Sequence, residues 1–202
     1  MPTSTPLTHA SMCCRAKGGS KRRIWRKIYI GIDEETLEVR AIEVTSSDIG
    51  PFHGLQSNHY RSMDVPILPE LLNQIPPDQD ISSVTADGAY NTRKCHDPIA
   101  ARDAHAVIPP RKNAKPWKPT SAGAIARNDA VSAQRYLGRT LWRHWSGYHR
   151  RSRVETKMHC IKLLGQSLMA RDFDRQVAEI QIRIAVLNRY TALSIPLTEP
   201  VG

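Results

Sequence analysis

Four residues near the C-terminal end of the sequence combine groups that bind phosphate or a metal ion with a regular spacing. They are Tyr148, Arg151, Glu155 and Lys162, whose offsets from the tyrosine are 3, 7 and 14 residues. On a helix that turns about 100° per residue, these offsets fall within roughly 60° of one another. The spacing therefore predicts a helix that carries one carboxylate within a stripe of cationic and phenolic groups.

An apolar stripe beside these four residues predicts how the same helix packs. Its members recur at helical spacing on the adjacent face, and they are Val154, Met158, Ile161, Leu164 and Leu168. Such a stripe presses a helix onto a core. The polar stripe is then expected at the edge of that core, where a site would lie.

A second carboxylate, Asp87, is predicted at the end of a strand and is followed by Gly88. Open α/β proteins present reactive groups from this position. An Asp-Gly pair is also typical of a turn or a helix cap. Glu155 has a similar alternative interpretation, because it can pair with Arg151 four residues before it as an ordinary solvated helix partner.

The elements that must position these groups follow from periodicity and turn residues. A β-hairpin is predicted over 24–44 with its turn at Asp33–Thr36, and the last helix is predicted after an N-cap at Asp172. Between them the pattern predicts a helix over 66–74, a strand over 81–86, a helix over 92–102, a strand over 105–108 and a basic linker over 111–125. Alternating strands and helices indicate an α/β sheet.

Composition narrows the class of partner. The 29 Lys and Arg residues exceed the 19 Asp and Glu residues, which gives a net charge of +10 and favours a polyanion such as nucleic acid. The four cysteines have no metal-binding spacing, and no apolar run is long enough for a membrane span. We therefore expect a cytoplasmic protein without a membrane partner.

The spacing Y-x2-R-x3-E-x6-K resembles the YREK signature of bacterial insertion-sequence transposases of the DDE class. Further resemblance to the insertion-sequence-five family lies in four other blocks, which are KGGSKRRIWRKIYIGIDEETLEVRAIEVTSSDIG, VTADGAYNTRKCHDPIA, HAVIPPRKNAKPWKP and ARDFDRQVAEIQIRIAVLNRYTAL. The blocks occur in the family's order. The resemblance covers nearly everything from Lys17 to the C-terminus.

The resemblance implies a ribonuclease H-like mixed sheet with flanking helices, in which three carboxylates hold two Mg²⁺ ions for phosphodiester chemistry. Asp87 and Glu155 match the second and third of these acids. Tyr148, Arg151 and Lys162 match the residues that position DNA phosphates, although ordinary surface charge is the alternative interpretation of all three. The implied partners are double-stranded DNA, as transposon ends and target, and a second copy of the chain or an intact transposase.

One part of the family pattern is missing from the sequence. The first catalytic aspartate is expected upstream of KGGSKRRIWRK, but MPTSTPLTHASMCCRA contains no Asp or Glu. We therefore expect the chain to lack the first, central strand and to be truncated at its N-terminus. The predicted organisation is an irregular lead-in over 1–20, a partial catalytic domain over 21–195 with an inserted loop at 51–63, and a tail over 196–202.

Three functional interpretations remain open. The first is a DDE transposase that is inactive on its own. The second is a non-catalytic DNA-binding fragment that inhibits an intact relative. A host nuclease of ribonuclease H type is the third, and it meets the same difficulty of the missing acid.

Overall fold

A computed structural model describes residues 3–15, 23–46 and 67–194 of the chain. Its strands are β1 (Thr3–Arg15), β2 (Arg23–Ile32), β3 (Val39–Ser46), β4 (Ile81–Thr85), β5 (His105–Val107) and β6 (Ser167–Leu168). Its helices are α1 (Ile67–Asn73), α2 (Arg93–Ala101), α3 (Ala122–Leu137), α4 (Arg139–Trp145), α5 (Ser152–Leu163) and α6 (Phe173–Ser194). Two short 3-10 turns lie at Gly88–Tyr90 and Tyr148–Arg151.

The strands form one mixed sheet in the order β3-β2-β1-β4-β5, with β6 beside the end of β1. β2 runs antiparallel to both β1 and β3, whereas β1, β4 and β5 run parallel. The hairpin predicted over 24–44 is confirmed, because β2 and β3 are joined by a turn at Asp33 that closes with a 2.8 Å bond from its amide to the Glu38 carbonyl oxygen.

β1 corrects two expectations drawn from the sequence. The central strand that we expected to be absent is present, and most of the predicted irregular segment 1–20 belongs to it. The segment has no Val or Ile and so shows little of the alternation that marks a strand. It is extended because it hydrogen-bonds to β2 on one side and to β4 on the other, which satisfies its backbone groups.

Two apolar layers cover the sheet. One face packs on α1 and α2 around a core that includes Tyr29, Leu68 and Ile99. The opposite face packs on α5 and α6, where three isoleucines of β2 meet Val154 and Ile180. Alternate residues of β2 serve opposite faces because successive side chains of a strand point in opposite directions.

The predicted helices and strands of the middle of the chain are present within one or two residues, but the region after residue 121 contains more helix than expected. The basic linker ends at Ser121, whose Oγ accepts a 3.2 Å bond from the Ala124 amide and caps α3. α3 ends at Gly138, which has a φ of 77°. The predicted loop at 51–63 and the tail at 196–202 lie outside the described residues.

Candidate nucleic-acid interface

The four signature residues do not share one helix. Tyr148 and Arg151 lie in the 3-10 turn that precedes α5, whereas Glu155 and Lys162 lie on α5 itself. Gly147, with a φ of 73°, allows the chain to turn sharply from α4 into this segment. The expectation of a continuous α-helix from Tyr148 is therefore wrong for its first turn. That turn is a 3-10 turn that follows the bend at Gly147, and α5 begins only at Ser152.

The apolar stripe predicted beside the signature is confirmed on α5 only. Val154, Met158 and Ile161 are buried against the sheet. Leu164 lies just beyond the helix and is exposed, and Leu168 is buried as part of β6. α5 ends before Gly165, so helical periodicity no longer governs the later positions.

Tyr148 is the centre of a cluster of cationic and aromatic side chains. Its ring lies 6.3 Å from the ring of the buried Trp142. The guanidinium carbons of Arg143 and Arg151 lie 5.5 and 6.0 Å from the centroid of its ring. These distances suit cation–π attraction, which holds two positive charges beside one phenol. We call Tyr148, Arg143 and Arg151 the tyrosine cluster.

Glu155 joins this cluster through an ion pair with Arg151, four residues earlier. The glutamate side chain is 54% exposed and the arginine side chain 20% exposed. Lys162 lies in the last turn of α5, about 10 Å farther along the axis at the usual rise per residue. The structure thus brings three of the four signature residues into contact and leaves the lysine separate within the described residues.

Asp87 lies two residues after the end of β4, within one residue of the predicted position, and caps the 3-10 turn at Gly88–Tyr90. Its Oδ1 accepts a 2.7 Å hydrogen bond from the Ala89 amide. The capping role that the sequence left open is therefore present. The capping bond uses one of the two carboxylate oxygens of Asp87, and the residue is half-buried.

A polar cavity of about 380 Å³ lies between the end of β2, strand β4 and the start of α5. Its lining includes Ser83, Thr85, Ser146, Arg150 and Arg153. Hydroxyl groups and guanidinium groups are donors to phosphate oxygens. Glu34 and Glu35 also line the cavity, so its two carboxylates offset the charge of its two guanidinium groups.

Glu34 contributes to the wall of this cavity and was not singled out from the sequence. Its side chain is only 6% exposed, and its Oε1 lies 3.1 Å from Nη1 of Arg150 and 3.8 Å from Nη1 of Arg153. Its position in the hairpin turn, two residues after the end of β2, is the one local signal that marks it. Its partners are more than a hundred residues away in sequence, so only the fold reveals them.

The described residues do not fit the two-metal site that the family resemblance implies. Members of the DDE transposase family use divalent metal ions, which need several carboxylate ligands. In the described parts of the chain, no three Asp, Glu, His or Cys side chains are grouped as metal ligands would be. β1 contributes no carboxylate from its sequence, Asp87 caps a turn and Glu155 pairs with Arg151.

The fold and this surface define a mixed α/β protein with a cluster of arginine side chains beside the central sheet. The chain belongs to the transposase DDE domain family, whose sequence profile matches residues 4–189. This match begins within β1, in agreement with the presence of that strand in the sheet. The family is that of a transposase, a protein that acts on DNA.

No solved structure matches the chain at a significant level. Among the described residues, every helix is too short or too polar to cross a membrane.

Proposed function

We propose that this protein is an insertion-sequence transposase of the YREK type, related to the insertion-sequence-five family, that binds duplex DNA through Tyr148, Arg151 and Lys162. The observation that carries the proposal is the tyrosine cluster at the start of α5. There, cation–π contacts and the Arg151–Glu155 ion pair hold a guanidinium group in a defined position. A pre-positioned guanidinium binds phosphate with a smaller loss of side-chain entropy than a free one.

The strand order supports a ribonuclease H-like fold for this domain. In the family arrangement a central strand lies between an antiparallel hairpin and further parallel strands, and β1 takes this place in the sheet. Asp87 at the end of β4 and Glu155 on α5 then correspond to the second and third acids of the family. Both are proposed as the residues that remain of the metal site.

We further propose that the chain does not cut DNA by itself. The strand that carries the first acid in the family is present here without any Asp or Glu. Two carboxylates provide fewer hard ligands than a two-metal site requires. DNA binding depends on cations rather than on this acid, so it is expected to persist.

A complete sheet without the first acid also favours the second candidate function, an inhibitory DNA-binding protein. Such a chain would compete with an intact transposase for transposon ends or form mixed oligomers with it. Inhibition of an active relative by the added protein would support this function. An active relative whose activity is unchanged by the protein would contradict it.

The test of the proposed function is a salt titration of binding to a labelled duplex. Each phosphate contact contributes about 0.9 to the slope of log affinity against log salt concentration, so Arg151→Gln/Lys162→Gln should reduce the slope by about 1 to 2. Arg175→Gln/Arg189→Gln removes two exposed charges from α6 and is the matched control. A wild-type protein that does not bind duplex DNA would overturn the proposal.

The same preparation tests the absence of cleavage. We expect no nicking of supercoiled plasmid in Mg²⁺ by the wild type, by Asp87→Asn or by Glu155→Gln, and we expect Asp87→Asn to bind DNA as the wild type does. Cleavage that appears in the wild type and disappears in both variants would show that the metal site is complete after all.

A further inference from the structure

The segment 111–120 is a basic loop without regular secondary structure between β5 and α3. It carries four cations, Arg111, Lys112, Lys115 and Lys118, and no carboxylate. All four are exposed. Within the described ranges no carboxylate lies at ion-pair distance from the three lysines. The loop therefore concentrates positive charge that the neighbouring protein does not neutralise.

The backbone of this loop is fixed by side chains of α3. Asn128 makes two bonds to Trp117, one to its amide and one to its carbonyl oxygen, both of 2.8 Å. Arg135 donates to the Ala114 carbonyl oxygen at 2.7 Å, and Arg127 donates to that of Lys115 at 2.5 Å. A side-chain amide that hydrogen-bonds to both the N–H and the C=O of one residue fixes that residue's backbone, as pairing with a neighbouring strand does.

Trp117 fixes the loop a second time through its ring. The guanidinium carbon of Arg127 lies 4.3 Å from the ring centroid, and that of Arg93 lies 5.3 Å from it. The ring of the buried His96 meets it edge-on at 5.6 Å. Trp117 therefore packs against the protein, which agrees with packing rather than base stacking as its role.

Arg93 completes the attachment from α2. It donates to the Lys118 carbonyl oxygen and to the Thr120 hydroxyl, each at 2.9 Å. Pro116 and Pro119 have fixed φ angles and remove further freedom from the same stretch. Side chains of α2 and α3 thus anchor the main chain of the loop, while its lysine side chains remain exposed.

We propose that this basic loop is a second, pre-organised contact surface for the DNA phosphate backbone, separate from the tyrosine cluster. The inference rests on the proposed DNA-binding function and adds a site to it. An immobilised loop loses little conformational entropy when a duplex binds, so each unpaired lysine contributes more of its attraction to affinity. Contacts of this kind position a duplex without reading its sequence.

A charge-removal variant gives the first test. We expect Lys112→Gln/Lys115→Gln/Lys118→Gln to reduce the salt slope for duplex binding by about 2 to 3, at about 0.9 per lost phosphate contact. The matched control is Arg171→Gln/Arg175→Gln/Arg189→Gln, which removes three exposed cations elsewhere. Equal reductions in the two triple variants would overturn the proposal, because any surface charge would then serve.

A variant that frees the loop backbone but keeps its charges tests whether pre-organisation contributes to DNA binding. Asn128→Ala removes both bonds to Trp117 and places a good helix former within α3, so the fold should persist. We expect binding several-fold weaker at one salt concentration, the salt slope retained, and faster amide exchange over 111–120. Faster exchange with unchanged affinity would show that fixing the loop does not serve DNA binding.

The outcomes separate this inference from the proposed function. If the wild type binds and Arg151→Gln/Lys162→Gln weakens binding, but the lysine triple variant behaves as its control does, the loop inference alone fails. If the wild type does not bind duplex DNA at all, the proposed function fails and the loop inference fails with it.

Discussion

Arg153 donates a 2.8 Å hydrogen bond from its guanidinium Nη1 to the backbone carbonyl oxygen of Glu34. This bond ties the first turn of α5 to the turn between β2 and β3 and thereby fixes the tyrosine cluster relative to the sheet. The Glu34 carboxylate strengthens the link, because it lies between Arg150 and Arg153. Ion pairs and a hydrogen bond thus connect the sheet to the start of α5 at the edge of the polar cavity.

Glu34→Ala should destabilise the protein, since it leaves two guanidinium groups without their buried counter-charge. We expect the free energy of unfolding in urea to fall by about 1 to 3 kcal/mol, less than for a fully buried pair because both arginines are half-exposed. Glu35→Ala, at the exposed neighbouring position, is the control. Equal stability losses for both variants would show that the Glu34 contacts contribute nothing specific.

Gly123→Ala should also destabilise the protein, although alanine is the better helix former. A Cβ at this position would lie 2.5 Å from both the Asp97 Oδ1 and the His96 carbonyl carbon, so α2 and α3 would have to separate. We expect a loss of about 1 to 3 kcal/mol in thermal or urea unfolding. Ser132→Ala on the exposed face of α3 should be neutral or stabilising. A stabilised Gly123→Ala variant would contradict this close helix packing.

His96 should make stability depend on pH. Burial, together with the nearby positive charge of Arg127, lowers the pKa of His96 from 6.5 to about 4, and Asp97 opposes this only in part. The unfolded chain therefore binds a proton between pH 6.5 and 4 that the folded chain does not bind. Stability is complete above pH 6.5 and falls as the pH decreases to about 4, by up to about 3 kcal/mol.

The measurement for His96 is the difference between wild type and His96→Gln in urea unfolding at several pH values. Subtraction removes the contributions of the other histidines. We expect the wild type to lose more stability than the variant between pH 7 and pH 5. Parallel pH profiles would mean that His96 titrates normally in the folded protein.

Asn188→Ala should loosen α6 from the sheet. The Asn188 side chain accepts a 2.9 Å hydrogen bond from the Val39 amide and donates a 3.0 Å hydrogen bond to the Val39 carbonyl oxygen. These bonds satisfy two backbone groups on the edge strand β3. We expect a loss of about 1 to 3 kcal/mol in unfolding free energy, because two backbone groups lose their partner. Arg189→Ala at the next, exposed position is the control, and a similar loss there would refute the assignment.

Local periodicity accounts for the parts of the fold that the sequence predicted correctly. The alternating isoleucines of β2 and the turn at Asp33 specify a hairpin without help from the rest of the chain. The helical spacing of the α6 sequence predicts a buried stripe of Phe173, Val177, Ile180, Ile184 and Leu187. The last three are buried, whereas Phe173 is exposed and Val177 is half-buried. The excess of basic residues by itself indicates a polyanionic partner, because net charge depends on composition and not on the fold.

The candidate site was only partly predictable, because the backbone changes direction at Gly147, just before the signature residues. The signature spacing placed Tyr148 and Arg151 on the helix of Glu155, whereas Gly147 starts a 3-10 turn that still brings all three together. Asp87 was correctly placed after a strand. Its use as a turn cap was one of two interpretations that the sequence left open.

The sequence alone determined the hairpin, most of the buried positions of α5 and α6, and the excess of basic residues, because each depends on composition or on residues close together in the chain. The tertiary structure decided the rest. β1 became the central strand only through hydrogen bonds to β2 and β4. Glu34 met Arg150 and Arg153 across more than a hundred residues, and Trp117 fixed the basic loop only where α2 and α3 lie side by side. Contacts between distant segments leave no period in a sequence, so only the folded chain reveals them.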